Sequence, residues 1–245
     1  MPVGIGRSGM MGLFFKTILI ALLVSCGSAA HAFAGLNAIN ISVKWDSIKN
    51  SASRQINDQM ADDERGEAVS PDTAFTFVSS RSRTQQNLRN FVERTPDPAA
   101  RASLGQTFSS QPDLMEIIGA AVRGYGFNPH NVADAYAVWW INVWGASQKT
   151  NIEPDAATVA AVKQQVRSAF DATPGFAETS DAERQEYAEA LLLQAVILSD
   201  AYEQLKSDPA MLEQLAQVAR EGAIASGLDV SKMTLTADGF KLASD

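Results

Sequence analysis

Residues 180–205, SDAERQEYAEALLLQAVILSDAYEQL, decide the fold, because they form a long stretch with the apolar spacing of an α-helix. Ser180 and Glu183 have the spacing of a capping box, which predicts that the helix begins here. Apolar residues then recur three and four positions apart, and Leu193 and Ile197 add apolar side chains on the opposite face. Because its centre is apolar nearly all round, we expect this helix to be the most buried one.

The same spacing predicts six more helices around this one. Each begins at a residue that favours a helix N-terminus, such as Asn131, whose side chain can accept hydrogen bonds from the first turn. No internal repeat of solenoid length is visible. The sequence therefore predicts an all-α fold, a compact bundle of about seven helices over residues 81–245. The six further starts lie near Ser82, Pro98, Pro112, Asn128 or Asn131, Glu153 and Asp208.

Residues 35–80 are predicted to form an N-terminal arm that is partly extended or flexible. Apolar and polar residues alternate over Ile39–Trp45, which is typical of a half-buried strand. Phe75–Val78 is a second strand candidate, and the polar residues 50–71 indicate a solvated helix or a linker. We expect a small two-stranded β element formed by N- and C-terminal segments, in which Phe75–Val78 pairs with Met233–Thr236.

Residues 1–34 have the features of a cleaved signal peptide. Arg7 and Lys16 supply positive charge, and a short apolar run follows Lys16. That run is much shorter than the roughly 20 residues that span a bilayer. Small residues at alternate positions predict cleavage after Ala32 or Ala34, and hence a periplasmic or secreted protein.

A lipid anchor at Cys26 is the alternative. The residues before Cys26 are similar to the lipobox of bacterial lipoproteins, in which the cysteine becomes the lipidated first residue. The chain would then be attached to a membrane surface by acyl chains alone. Cys26 is the only cysteine, so either outcome leaves the remaining domain with no thiol ligand, thiol nucleophile or disulfide.

The chain is acidic, with a formal net charge of −8. The acid is concentrated after residue 150, whereas five arginines lie between Arg81 and Arg101. A strongly acidic surface repels phosphate backbones, so we expect no nucleic-acid partner. The arginine stretch is interpreted as a solvated helix face, with an anionic partner, or the chain's own acidic half, as the alternatives.

Three residues are candidates for acid–base chemistry. His130 and Asp134 are four positions apart and share a helix face if the helix begins early enough, and Glu116 lies in an otherwise apolar helix. Helix capping by Asn131 with a partly buried Asp134 is the simpler interpretation. We expect no metal or cofactor, because His130 is the one histidine left after cleavage and no nucleotide or metalloprotease motif is present.

The aromatic residues that follow are the candidates for binding. Tyr136, Trp139, Trp140 and Trp144 have the spacing of a helix, which most often indicates a core. Trp139 and Trp140 are adjacent and cannot face the same way, so one of them is a candidate to line a groove or an interface.

Three segments carry a resemblance to a known family. Arg83–Arg94, Asn131–Trp144 and Met233–Phe240 together resemble a bacterial family of exported proteins of unknown function, over roughly residues 80–242. The resemblance implies export and one domain, and it implies no catalytic residue.

We therefore expect a non-enzymatic binding or interaction module of the cell envelope or secreted space, which recognises an unknown protein or small ligand. The first alternative is an envelope hydrolase that uses Asp134 with His130 or Glu116. The second is a structural surface lipoprotein anchored at Cys26, which is the only form expected to contact a membrane.

Overall fold

The computed structural model of the protein describes residues 43–61 and 70–243. Within these ranges the chain forms eight α-helices and one β-hairpin, which confirms the predicted all-α bundle with a small two-stranded element. The helices are α1 (Val43–Ala61), α2 (Arg81–Arg94), α3 (Pro98–Ser110), α4 (Leu114–Arg123), α5 (Val132–Ser147), α6 (Ala156–Asp171), α7 (Asp181–Leu205) and α8 (Pro209–Ala225). The strands are β1 (Met233–Thr236) and β2 (Gly239–Leu242).

The helix starts are set by side chains that accept hydrogen bonds from the free N–H groups of the first turn. Asn131 accepts from the N–H groups of Ala133 and Asp134, and Ser180 forms the predicted capping box with Glu183. Each such cap contributes about 1 kcal/mol to stability. Similar caps begin α3, α6 and α8 at Asp97, Asp155 and Asp208.

Helices α5 and α7 lie side by side at the centre of the bundle. Every residue of α5 is buried except Asn142 and Trp144, which are half-buried. Helix α7 also contacts α2 and α8, but both of its ends reach solvent. The prediction that α7 is the most buried helix is therefore wrong. Its longer sequence has polar ends that extend beyond the core, whereas α5 lies almost wholly inside it.

Helix α1 replaces the strand predicted over Ile39–Trp45. That prediction is wrong for Val43–Trp45, which are helical, and residues 39–42 lie outside the described residues. Buried Ile48, Ala52, Ile56 and Met60 recur four positions apart and hold α1 against the rest of the core. The helical spacing of these four residues therefore outweighs the short alternating pattern that precedes them.

The hairpin forms between β1 and β2, so the predicted pairing of Met233–Thr236 with Phe75–Val78 is wrong. Strand β2 is the more favourable partner because only a short turn separates it from β1. Gly239, at the end of this turn, takes a positive φ of 96°. Phe75 ends a 3-10 turn instead, and the Phe77 N–H donates to the His130 carbonyl at 3.0 Å.

The Gln165 side chain and the Phe240 ring attach strand β2 to the helices. The Gln165 amide of α6 donates to the Phe240 carbonyl at 2.7 Å and accepts from the Phe240 N–H at 2.9 Å, as a neighbouring strand would. The Phe240 ring stacks on Trp140 with 4.1 Å between centroids. Over residues 43–61 and 70–243, no helix has the length and apolar character needed to cross a membrane.

Candidate functional site

Asp134 lies in the first turn of α5 and is almost wholly buried, with 1% of its surface exposed. Its Oδ2 accepts the Asn128 N–H at 2.7 Å and forms an ion pair with Lys163 Nζ at 2.8 Å. Its Oδ1 lies 3.5 Å from a guanidinium nitrogen of Arg167. A carboxylate at this end of a helix is also stabilised by the helix dipole. The two cations come from α6, so Asp134 joins α5 to α6.

The ion pairs around Asp134 continue into the segment before α2. Arg167 also forms an ion pair with Asp72, and Asp72 Oδ1 accepts from the Asn131 amide at 2.9 Å. Lys163 donates a further hydrogen bond to the Gly126 carbonyl at 2.8 Å. The network therefore holds three parts of the chain together through Asp134, Lys163 and Arg167, which are mostly shielded from water, and through the half-exposed Asp72.

His130 and Glu116 do not join Asp134. His130 is exposed, its ring lies beside Phe77 with 5.8 Å between centroids, and its backbone N–H donates to the Asn128 side chain. Glu116 is exposed on α4. No hydrogen bond or ion pair joins any two of the three candidates within the described part of the chain. The same ranges contain no group of three His, Cys, Asp or Glu side chains that could hold a metal ion.

The four aromatic candidates are packed against the chain's own groups. Tyr136, Trp139 and Trp140 are exposed by 2% or less, whereas Trp144 is half-buried. Trp139 Nε1 donates to Gln194 at 3.0 Å, and Trp144 Nε1 donates to the Met233 carbonyl at 2.9 Å. Burial also raises the pKa of Tyr136, so that its hydroxyl stays neutral. Ligand binding by these four residues stays a prediction, and the contacts that they make in the structure belong to the core.

A groove opens on another face of α5 and was not predicted from the sequence. Its walls come from α5 at Asn142 and Gly145, from the loop at Thr150, and from α7 at Ser199 and Tyr202. The groove has a volume of about 260 Å³ including the solvent at its mouth, and its enclosed part is about 10 Å³. Its signal in the sequence is a polar residue, Asn142, three positions before a small one, Gly145, on an otherwise apolar helix.

A buried polar cluster around Glu189 lies between α2 and α7 and was not predicted from the sequence either. Glu189 accepts from the Thr84 hydroxyl at 2.6 Å, the Asn87 amide at 2.7 Å and the Gln185 amide at 2.9 Å. Burial raises the pKa of Glu189, although its hydrogen bonds and nearby His130 act in the opposite direction. Two polar residues four positions apart, Gln185 and Glu189, are the sequence signal for this contact.

One further carboxyl on α7 is perturbed by burial. Asp200 is 6% exposed and accepts one hydrogen bond, from the Gln204 amide at 2.7 Å. Desolvation raises the pKa of Asp200 to about 7, and the neighbouring charge of Glu203 adds to the rise. Its protonation therefore changes near neutral pH.

The fold and the contacts of its polar residues define a class of protein, a helical bundle closed by a C-terminal hairpin. Its buried carboxylate, Asp134, contributes to the packing of three segments of the chain. Residues 16–243 match the family of unknown function DUF6683, and the chain belongs to that family. The predicted resemblance to a family of unknown function is confirmed by this match, while its bacterial origin and its export stay predictions. No curated protein and no solved structure matches the chain.

Proposed function

We propose that this protein is an exported, non-enzymatic binding module of the cell envelope or secreted space. The observation that carries the proposal is the state of Asp134, the residue on which an enzyme would depend. Its two oxygens are already engaged by Lys163, Arg167 and a backbone N–H. A general acid or base needs a free lone pair or proton within reach of substrate, and this carboxylate presents neither to solvent.

The alternative of an envelope hydrolase finds less support from the same geometry. Catalysis by Asp134 with His130 or Glu116 would need the groups to converge on one bond. His130 and Glu116 are exposed, while Asp134 is buried beneath α6 side chains. The groove beside α5 is lined by uncharged side chains, which supports binding over acid–base chemistry.

Asp134→Asn separates these two functions. Asparagine keeps an acceptor for the Asn128 N–H but leaves the mostly buried Lys163 without its counter-charge, whereas Arg167 keeps its ion pair with Asp72. We therefore expect a loss of about 1–3 kcal/mol in unfolding free energy. Asp113→Asn, which removes an exposed pair with Arg81, is the matched control and should change stability by less than about 0.5 kcal/mol. Wild-type hydrolysis of chromogenic esters, glycosides or peptides that disappears in Asp134→Asn would contradict the proposal.

Export is tested on the full chain expressed in a bacterial host. Cell fractionation and the intact mass of the product distinguish cleavage after Ala32 or Ala34 from acylation at Cys26. Cys26→Ala is the matched variant: it abolishes an acyl modification but leaves ordinary cleavage unchanged. A product that keeps its first 34 residues and remains in the cytosol would refute the proposed location. An acylated product would establish the lipoprotein alternative instead.

A further inference from the structure

We propose that the groove between α5 and α7 is a binding site for an uncharged acetamido group, such as the N-acetyl group of an amino sugar or of an acetylated peptide. This inference names the site and ligand class of the binding function proposed above, and it rests on that function. It is carried by the fixed shape of the groove, by a hydroxyl on its wall that makes no hydrogen bond to a described residue, and by the absence of charge among the lining residues.

The end of the groove is held in place by backbone contacts. The Thr150 N–H donates to the Gly145 carbonyl at 2.9 Å, and Lys149 takes a positive φ of 58° in the turn between them. A Cβ added at Gly145 would lie 2.9 Å from the Thr150 carbonyl oxygen. Glycine therefore allows the loop to close directly on α5, and the groove is formed before any ligand arrives.

Ser199 is the residue of α7 whose hydroxyl lines the groove. Its residue is 5% exposed, and its hydroxyl makes no hydrogen bond to any described residue. Other helical hydroxyls donate to the carbonyl one turn back, as Thr107 does to Ser103 and Ser109 does to Gly105 in α3. The Ser199 hydroxyl lines the groove and is therefore free to donate to a group bound there. A ligand carbonyl in the groove would supply the missing acceptor.

Asn142 provides the complementary group on the opposite wall. Its amide nitrogen donates to the Val138 carbonyl at 2.8 Å, so the carbonyl oxygen of its side chain stays available as an acceptor. Ser199 can thus donate while Asn142 accepts, which is the pair of functions needed by the C=O and N–H of an amide.

The remaining lining favours a small uncharged group with an apolar end. Ile141, Ile152 and Leu198 supply apolar surface, and the enclosed volume of about 10 Å³ takes one water-sized or methyl-sized group. No lining residue carries a charge, so a carboxylate or an ammonium would lose its hydration without compensation. An acetamido group matches all three properties: its methyl fits the enclosed end, and its amide faces the two polar walls.

The test is a titration of the isotope-labelled mature protein followed by amide chemical shifts. N-acetylglucosamine and an N-acetylated alanine amide are the probes, glucose lacks the acetamido group, and acetate carries a charge. We expect both acetylated probes to shift the amides of Asn142, Gly145 and Ser199, and neither glucose nor acetate to do so at the same concentration. Ser199→Ala should raise the Kd of the acetylated probes roughly five-fold through the loss of one hydrogen bond.

Ser109→Ala is the matched control, since the Ser109 hydroxyl is exposed and already bonded to the Gly105 carbonyl, and it should leave the Kd unchanged. Shifts outside the groove, equal shifts with glucose, or no shift with either acetylated probe would overturn the site or its ligand class. Export is decided separately by fractionation and intact mass. An exported chain with a silent groove would therefore refute this inference without refuting the proposed location.

Discussion

Replacing Asp200 with asparagine is expected to stabilise the protein above neutral pH and to leave its stability unchanged in acid. The native pKa of Asp200 is about 7, against 3.8 for an ordinary aspartate, because burial penalises the charged form. The native state therefore binds this proton more tightly than the unfolded state does. It follows that the unfolding free energy falls as the pH rises from about 4 to about 7, and then levels off.

The size of this effect can be worked from the two pKa values. A difference of about 3 pKa units corresponds to an upper limit of about 4 kcal/mol at pH 8. Because solvent still reaches part of the carboxyl, we expect about 2 kcal/mol. Asparagine removes the charge but keeps the oxygen that accepts from the Gln204 amide. The variant should thus gain about 2 kcal/mol at pH 8 and close to nothing at pH 4.

Urea unfolding followed by circular dichroism across this pH range measures the difference directly. Glu178→Gln is the control, since it removes an exposed carboxyl, and its effect should be small at every pH. If Asp200→Asn is no more stable than wild type at pH 8, or if its effect is the same at pH 4 and pH 8, the argument from burial is wrong.

Two further substitutions test the hairpin and the buried polar cluster. Gly239→Ala should destabilise the protein by about 2 kcal/mol or more, because φ is positive at this position and the new Cβ would clash with the Gln165 side-chain amide. Thermal unfolding measures this loss. A change within experimental error would refute the role of this contact. Glu189→Gln should lower the unfolding free energy in urea by about 1–3 kcal/mol, because the new NH2 group would face the amide donor of either Asn87 or Gln185. Glu186→Gln, which changes a partly exposed ion pair with Arg94, should lower it by less. Equal losses in the two variants would contradict this explanation.

The helix starts could be predicted because they depend on neighbouring residues. Asn131, Asp155 and the pair Ser180 and Glu183 each bond to N–H groups within three residues of themselves. The strand pairing was mispredicted because alternation of side chains identifies no partner. A tight turn at Gly239 brings β2 to β1 ahead of any distant segment.

The candidate site was predictable only in part for the same reason. A partly buried Asp134 at the start of a capped helix could be predicted from Asn131, whereas its almost complete burial could not. Its partners Lys163 and Arg167 lie on another helix, and only the packing of α6 against α5 brings them within reach. Likewise, Ser199 becomes unusual only when its neighbours are known.

Helix α1 contacts α6 and β2, and the Ser53 hydroxyl donates to the Ser226 carbonyl, so two regions far apart in the sequence complete one interior. During synthesis, α1 cannot complete its packing until α6 and then β2 have been made. Contacts of such long sequence separation slow folding. Late completion of the core is compatible with the proposed export, because an exported polypeptide passes through a translocation channel while it is still unfolded.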